Sequence, residues 1–407
     1  MSLLPVEEAL RRVLAGIPRP VEAETVPIES CAGRTLAEDV ASLRTQPPFA
    51  ASAMDGYAVR SADLAVPPAR LAVIGRSVAG AGFAGAVAAG QAVRIFTGAP
   101  VPAGADAVAI QEDADADGDA VVVRAAVAPG RNIRAAGLDF SQGRPLLAAG
   151  QRLDARLVAL AAAAGHGALP VRRKPRVAIL ATGDELVRPG EPAGPDQIVA
   201  SNPFALAAIA TRAGAEPVDL GIARDTPEAL DRAITDARDA RADLLVTLGG
   251  ASVGEADLVQ AALKRHGMEL AFWKVALRPG KPLIHGRLGP MPILGLPGNP
   301  VSSVVCAILF VVPAIRCLLG DPGADDDPTE PAVLGTDLPA NDARQDYLRA
   351  TLAPSPDALP AATALPVQDS SMLSVLARAD ALLVRPPHAL PAKAGAPCRI
   401  IRLERFV

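Results

Sequence analysis

A basic excess is missing from this chain: 40 Lys and Arg stand against 44 Asp and Glu, a formal net charge of −4. Nucleic-acid binding through phosphates needs the opposite balance, so no nucleic-acid partner is expected. Cysteine is scarce. Cys31, Cys306, Cys317 and Cys398 show neither C-x-x-C spacing nor the density of a disulfide scaffold, which points to a reduced, cytoplasmic setting. Histidine is equally sparse, and His166, His266, His285 and His388 form no H-x-x-x-H and no zinc spacing with cysteine. No thiolate or imidazole metal site is therefore expected. The greasiest stretch, Val304 to Ile315, is broken by Pro313 and followed by Arg316, too short for a bilayer, and reads as a buried helix. The opening residues MSLLPVEEALRRVLAGI place Glu7, Glu8, Arg11 and Arg12 in an amphipathic pattern without the basic start and apolar run of a signal peptide. They predict a helix, and no membrane partner is expected.

Lysine is the last scarcity. Only five of the 40 basic residues are Lys, and three of them, Lys264, Lys274 and Lys281, lie close together. In a chain whose composition favours Arg wherever a charge suffices, retained Lys marks places where a point charge is wanted.

What is present is a large apolar content: 50% of 407 residues are hydrophobic and 21% charged, enough for several cores. At roughly 150 residues per domain the length corresponds to about three domains. From Pro47 to about Asp139, short apolar runs (71–74, 92–96, 107–110, 120–123) alternate with Gly, Pro and Asp clusters, the texture of a small β-rich domain. One helix precedes it, and an Ala and Leu helix, Leu153 to Ala164, follows it. These flanking pieces are expected to pack together, as the halves of a host domain interrupted by an insertion. From Arg176 buried strands alternate with helices: strands at 177–181, 218–222, 244–248, 269–277 and 292–296, and helices after Ser201, after Asp225 or Thr226, before Gly267 and from Pro300 to Leu319. That alternation predicts a parallel, doubly wound sheet. The Pro, Gly and Asp-rich segment 320–331 reads as a linker to a last domain of short strands. No internal repeat is visible.

Ligands of an open parallel sheet bind at the carboxyl ends of its strands. The loops there are Thr182-Gly183-Asp184-Glu185 and GGASVGEAD at 249–257. Gly249, Gly250 and Gly254 let backbone amides approach an anion at a helix N-terminus, and Ser252 adds a hydroxyl. Glu255 and Asp257 would repel a phosphate unless a divalent cation bridges them, and carboxylate oxygens suit Mg²⁺. Asp257 reads equally well as a helix N-terminal residue complementing the macrodipole. Asp225 sits where a helix cap is wanted. In 274–282 Lys274, Arg278 and Lys281 place three cations around a Pro-Gly turn, flanked by apolar residues; anion binding is favoured over a solvated edge. Gly295-Leu296-Pro297-Gly298-Asn299-Pro300 reads alone as a turn into a helix. In the β-rich region Pro47 to Ala58 holds one acid, Asp55, whose default reading is an Asp-Gly turn.

Together SAMDGYAV (52–59), IFTGAPVPAGADAV (95–108), TGDEL (182–186), GGASVGEAD (249–257), LRPGKP (277–282) and LPGNPVS (296–302) resemble the molybdopterin molybdenumtransferase family, the MoeA proteins and the C-terminal domain of gephyrin. The resemblance runs in order through nearly the whole chain. It implies an α/β plus β multidomain architecture: a split elongated domain (1–46 and 140–173), a β-rich domain (47–139), a doubly wound, mostly parallel molybdopterin-binding α/β domain (174–322) and a C-terminal β-barrel (323–407), in a homodimer. It also implies a reaction: insertion of molybdenum from molybdate into adenylylated molybdopterin, with Mg²⁺, releasing AMP and molybdenum cofactor. The molybdopterin adenylyltransferase and recipient molybdoenzymes are the implied partners. By motif the implicated residues are Asp55, Thr97, Asp139, Glu185, Asp225, Asp257, Lys274, Arg278, Pro297, Pro300, Arg349 and Ser370. Asp55, Asp225, Asp257 and Glu185 would be catalytic, with Asp225, Asp257 and Glu185 holding the metal. The others, with Lys281 and the glycine loop, would bind substrate, and Asp55 would reach the site across the dimer. Three departures stand out: Thr247-Leu248 precedes the glycine pair where the family commonly has Ser, Ala251 replaces a frequent Val, and Arg278 stands where Lys is frequent. Two other readings of the same fold are a scaffold or storage protein that binds molybdopterin without turnover, and a nucleotide-processing or pterin-binding paralogue. The acidic set Asp55, Asp225 and Asp257 favours the transferase.

Overall fold

The computed structural model describes residues 3–249, 258–354 and 359–407. Its centre is a six-stranded sheet. In chain order its strands are β1 (Arg176–Thr182), β2 (Glu216–Ala223), β3 (Leu244–Leu248), β4 (Glu269–Lys274), β5 (Pro282–Leu288) and β6 (Met291–Leu296), arranged β2-β1-β3-β6-β5-β4. The pairings β1–β2, β1–β3 and β3–β6 are parallel, while β6–β5 and β5–β4 are antiparallel. The sheet is thus mostly parallel, with an antiparallel hairpin at one edge. The run 269–277 is not one strand: it stops at Lys274, and Pro282–Leu288, unrecognised in the sequence, returns beside it as a hairpin with 291–296. A tight turn at Gly289, whose φ is +64°, makes that antiparallel return possible without a helix.

Helices cover both faces, so the central strands are buried along nearly their whole length and mostly apolar rather than alternating. Leu244–Leu248 is buried at every position. On one face Val177, Ile179, Leu244, Val246 and Leu248 pack under α3 (Asn202–Ala213) and the long helix from Pro300 to Leu318. On the other, Ala178, Leu180 and Leu245 meet α4 (Pro227–Asp239) and α5 (Leu258–Arg265). The 300–318 helix has 19 residues, longer than its unbroken apolar run indicated, and would pass a length test for a membrane span. Packing assigns it instead to the core, since 83% of its apolar window is buried. A π-turn at Ala307–Val311 lies just before Pro313, where the missing N–H and the ring disallow a regular α-turn.

The N-terminal helix α1 (Val6–Ala15) forms as expected, with Val6, Ala9 and Val13 on its buried face. Its packing corrects the sequence reading. Those residues join the α/β core, not the helix α2 (Ala155–Ala163), whose buried Ala161 belongs with Val26, Leu36, Val40 and Leu169. What joins the two flanking segments instead is strand pairing, Ala23–Pro27 with Ala168–Arg172 and Val40–Ala41 with Pro145–Leu147, both antiparallel. Between them the β-rich region forms a six-stranded sheet, ordered 107–110, 56–59, 91–95, 69–77, 120–123 and 114–117, with apolar clusters on both faces. The C-terminal region is a barrel: β7 (Glu330–Leu334), β8 (Gln345–Ala353), β9 (Ala361–Ala364), β10 (Ala381–Arg385) and β11 (Pro397–Arg402) close through the additional β8–β10 pairing. The two residues Leu277–Arg278, expected to continue β4, pair in parallel with β8 and attach this barrel to the α/β unit.

Candidate functional site

At the carboxyl ends of β1, β3 and β6 lies a cleft of about 870 Å³, where the strand order predicts a ligand. Thr182, Gly183 and Glu185 line it after β1, Asp225 after β2, Gly249 after β3, and Pro297, Gly298, Asn299 and Pro300 after β6. Ser371 and Leu373 enter from the barrel. Periodicity alone offered Asp225 or Thr226 as the helix cap, while the family resemblance implied a site acid at Asp225. The structure gives that duty to Thr226, whose hydroxyl accepts from the Ala229 amide at 3.3 Å, and so leaves the Asp225 carboxylate to the cleft. The Asp225 amide donates to Asp184 Oδ1 at 3.3 Å. Partial burial, then the negative charges of Asp184 and Glu185, push the Asp225 carboxyl above its usual range. Two acids, Glu185 and Asp225, thus line the cleft from two loops, with Asp184 bonded behind Asp225.

Gly249 is required here for two reasons. Its φ is +98°, and an added Cβ would lie 2.7 Å from the Thr182 carbonyl oxygen. The Thr182 and Thr247 hydroxyls beneath it are buried and make no hydrogen bond. Gly250, Ser252, Gly254, Glu255 and Asp257 lie outside the described residues.

The barrel reaches the cleft through one segment. Asn299 Nδ2 donates to Ser370 Oγ at 2.9 Å, and the Val301 amide donates to the Ser370 carbonyl at 3.0 Å. Arg349, 1% exposed, donates from Nη2 to the Asp369 carbonyl at 3.2 Å, while its Nε has no partner. A buried guanidinium N–H without an acceptor is a costly arrangement unless a ligand supplies one. Asn299 and Asn202, which bonds the Gly298 carbonyl at 2.6 Å, were not singled out in the sequence, nor was Asp184. Only their places beside Pro300, Pro203 and Glu185 signalled them.

Other expected residues lie elsewhere in the chain. Lys274, Arg278 and Lys281 do not line this cleft. Lys274 Nζ stacks 4.2 Å from the centre of the Trp273 ring, and Arg278 pairs with Asp346 and Asp342. Asp55 and Thr97 meet each other in the β-rich region: Asp55 Oδ1 accepts from the Thr97 amide at 2.7 Å and from its hydroxyl at 2.8 Å. Those bonds hold the Asp55 carboxyl below its usual range. Asp139 is exposed in the same half of the molecule, its amide donating to the Gln46 carbonyl at 3.0 Å.

This arrangement is matched in known proteins. Residues 4–165 match the MoeA N-terminal region (domains I and II), 178–317 a probable molybdopterin-binding domain, and 331–403 the MoeA C-terminal region (domain IV). The chain belongs to the MoeA family. The molybdopterin molybdenumtransferase of Bacillus subtilis is 35% identical over 411 residues, covering 98% of this chain and 94% of that one. The enzyme of the same name from Haemophilus influenzae is 37% identical over 319 residues, 78% of each. A solved molybdopterin biosynthesis MoeA protein from Pyrococcus shares 32% identity at a TM-score of 0.82, covering 98% of this chain and 99% of that one. That likeness spans both the open mixed sheet and the closed C-terminal barrel.

Proposed function

We propose that this chain inserts molybdenum from molybdate into adenylylated molybdopterin and releases AMP. The observation that carries this reading is the cleft where Glu185 and Asp225 face Gly249 and the Asn299–Ser370 contact, in a chain that aligns over 98% of its length with the molybdopterin molybdenumtransferase of Bacillus subtilis. The substrate has a large polar body, and the cleft has the size and polar rim to take it. Arg349, with its unpaired buried Nε, supplies a donor for an oxyanion, and it holds the Asp369 carbonyl next to Ser370, which bonds the cleft residue Asn299. Pro297 and Pro300 fix the turn that carries Asn299.

The acids fit a divalent cation by donor chemistry. Asp225 and Glu185, with Asp184 against them, present carboxylate oxygens, the ligands Mg²⁺ takes, and their mutual repulsion is what a cation relieves. Among the described residues no three acids or histidines are grouped to enclose an ion, so Asp257 is the further ligand this reading requires. Bound there, Mg²⁺ would neutralise charge on the phosphate. Lys274, Lys281, Gly250, Ser252 and Gly254 act on the substrate's phosphates in this reading.

The functional unit is a cytoplasmic homodimer divided at 46/47, 139/140, 173/174 and 322/323, with Asp55, Thr97 and Asp139 completing the partner's site. Exposed apolar side chains at Phe49, Met54 and Leu138, 41%, 41% and 66% accessible, in the segments that carry Asp55 and Asp139, support this, since a partner would cover them. The molybdopterin adenylyltransferase upstream and molybdoenzymes downstream are its partners. The test is AMP release from adenylylated molybdopterin by the purified protein. Release that needs both molybdate and Mg²⁺ is expected; release unchanged by EDTA, or none at all, refutes the reading.

A further inference from the structure

Arg278 belongs by its motif with the substrate's ligands, but its surroundings assign it other work. It does not line the main cleft; it borders a separate cavity of about 390 Å³ in the barrel, with Asn341, Asp346 and Gln368. Its guanidinium forks onto Asp346: Nε donates to Oδ1 at 2.8 Å and Nη2 donates to Oδ2. Nη2 also donates to Asn341 Oδ1 at 3.1 Å, and Nη1 to Asp342 Oδ2 at 3.3 Å. Asp346 is 4% exposed, so its charge has little water to solvate it and depends on this cation. The backbone runs the same way. Leu277 and Arg278 pair in parallel with Gln345 and Asp346, and the Gln345 amide donates to the Ala276 carbonyl at 2.9 Å.

Asp346 stands on β8, the strand that also carries Arg349 three residues on. A strand advances about 3.3 Å per residue, so whatever fixes Asp346 over the α/β unit fixes Arg349 to within one rigid step of about 10 Å. Arg349 in turn holds the Asp369 carbonyl, next to the Ser370 that bonds Asn299 at the cleft. We propose that Arg278 is a positioning residue: locked on buried Asp346, it seats β8, and with it Arg349 and the 369–371 segment, against the cleft, and it does not hold the substrate's phosphates. A guanidinium suits this place, because a fork grips both carboxylate oxygens where an ammonium grips as a point charge.

The inference rests on the proposed reaction only through Arg349, and its test has a readout that does not. Hydrogen exchange of the β8 amides, affinity for adenylylated molybdopterin by calorimetry, and turnover are measured in the full-length wild type and in Arg278→Ala, Arg278→Lys, Asp346→Asn and the Ala/Asn double variant. Expected are β8 amides exchanging about tenfold faster and turnover falling about tenfold in Arg278→Ala and Asp346→Asn, any loss of substrate affinity equal in those two variants and accompanied by the faster exchange, and a double variant no worse than the weaker single one. Arg278→Lys, which keeps the charge and loses the fork, should fall between, and it decides the matter if the other variants fail to fold. A tenfold rise in Kd for Arg278→Ala with unchanged β8 exchange would make Arg278 a substrate ligand and overturn the inference. So would wild-type exchange and turnover in Arg278→Lys. Wild-type protein with no turnover sinks the proposed reaction, while the exchange data still judge the latch.

Discussion

Gly56 follows Asp55 in SAMDGYAV, and replacing it with Ala tests how the β-rich region holds that acid. An added Cβ would lie 1.9 Å from the Ala109 carbonyl oxygen, 2.9 Å from its carbon and 3.0 Å from Ile110 Cα, all backbone of the neighbouring strand. No side chain can swing aside. To reach the 3.0 Å below which Cβ contacts are essentially unknown, the strands must part by about 1.1 Å, the difference between 3.0 and 1.9. The Gln111 amide donates to the Asp55 carbonyl at 3.0 Å, and that bond would stretch to about 4 Å, past hydrogen-bonding range. Losing two or three such backbone bonds at about 1 kcal/mol each costs about 2–3 kcal/mol, in line with overpacking penalties of about 1–3 kcal/mol. For a unit of about 60–100 residues each kcal/mol moves the melting point by about 4–8 °C, so a drop of about 10–20 °C is expected. Asp55 would lose its register against Thr97 as well. Differential scanning calorimetry and AMP release measure the two consequences. A Gly56→Ala protein that melts within about 2 °C of wild type and retains full turnover would refute the close-packing argument.

Asp225→Asn should raise the melting temperature slightly without metal, because it removes one of three mutually repelling acids. At a tenfold excess over its Kd, Mg²⁺ should stabilise the wild type by about 1.4 kcal/mol and the variant by much less; equal shifts in a thermal melt would count against Asp225 as a ligand. His285 is buried, with Nδ1 3.1 Å from the Ile293 carbonyl, and burial holds its pKa below the ordinary 6.5. The folded state then binds fewer protons than the unfolded one below that value. Stability is therefore full above pH 6.5 and falls as the pH drops beneath it, by at most about 1.4 kcal/mol per pH unit from this group. Denaturant melts between pH 7.5 and 5.5 should show a shallower fall for His285→Gln, and parallel curves would clear His285 of the effect. Mixing inactive Asp55→Ala protein with inactive Asp225→Ala protein should restore some turnover, because one site of each heterodimer keeps both acids. Absent activity after subunit exchange, verified by mass spectrometry, would place Asp55 in its own chain's site or outside catalysis.

The order of elements was legible because each rests on local signals. Apolar runs of strand length, Ser, Thr and Asn before helices with Pro at their start, and glycines after strands set out the sheet, its loops and the β-rich region without reference to distant residues. So did the motifs that marked Glu185, Gly249 and Pro297 as cleft residues. Packing partners could not be read this way. Helix α1 looks alike whether it covers α2 or the α/β core; only the complementary surface of the 300–318 helix decides, and it chose the latter. The hairpin Pro282–Leu288 with Met291–Leu296 was hidden because a run buried on both faces has no periodicity to reveal its direction. The site shows the same division. Charge and spacing grouped Lys274, Arg278 and Lys281 as one anion patch, but a cation's role depends on which carboxylate meets it, and Asp346 is 68 residues from Arg278. For Asp225, local pattern left cap and site acid both open, and the bond from the Ala229 amide to the Thr226 hydroxyl gives the cap to Thr226. Local chemistry thus determined the elements and the candidate loops, whereas tertiary contacts, which bring together groups far apart in the chain, decided which side chains were free to act.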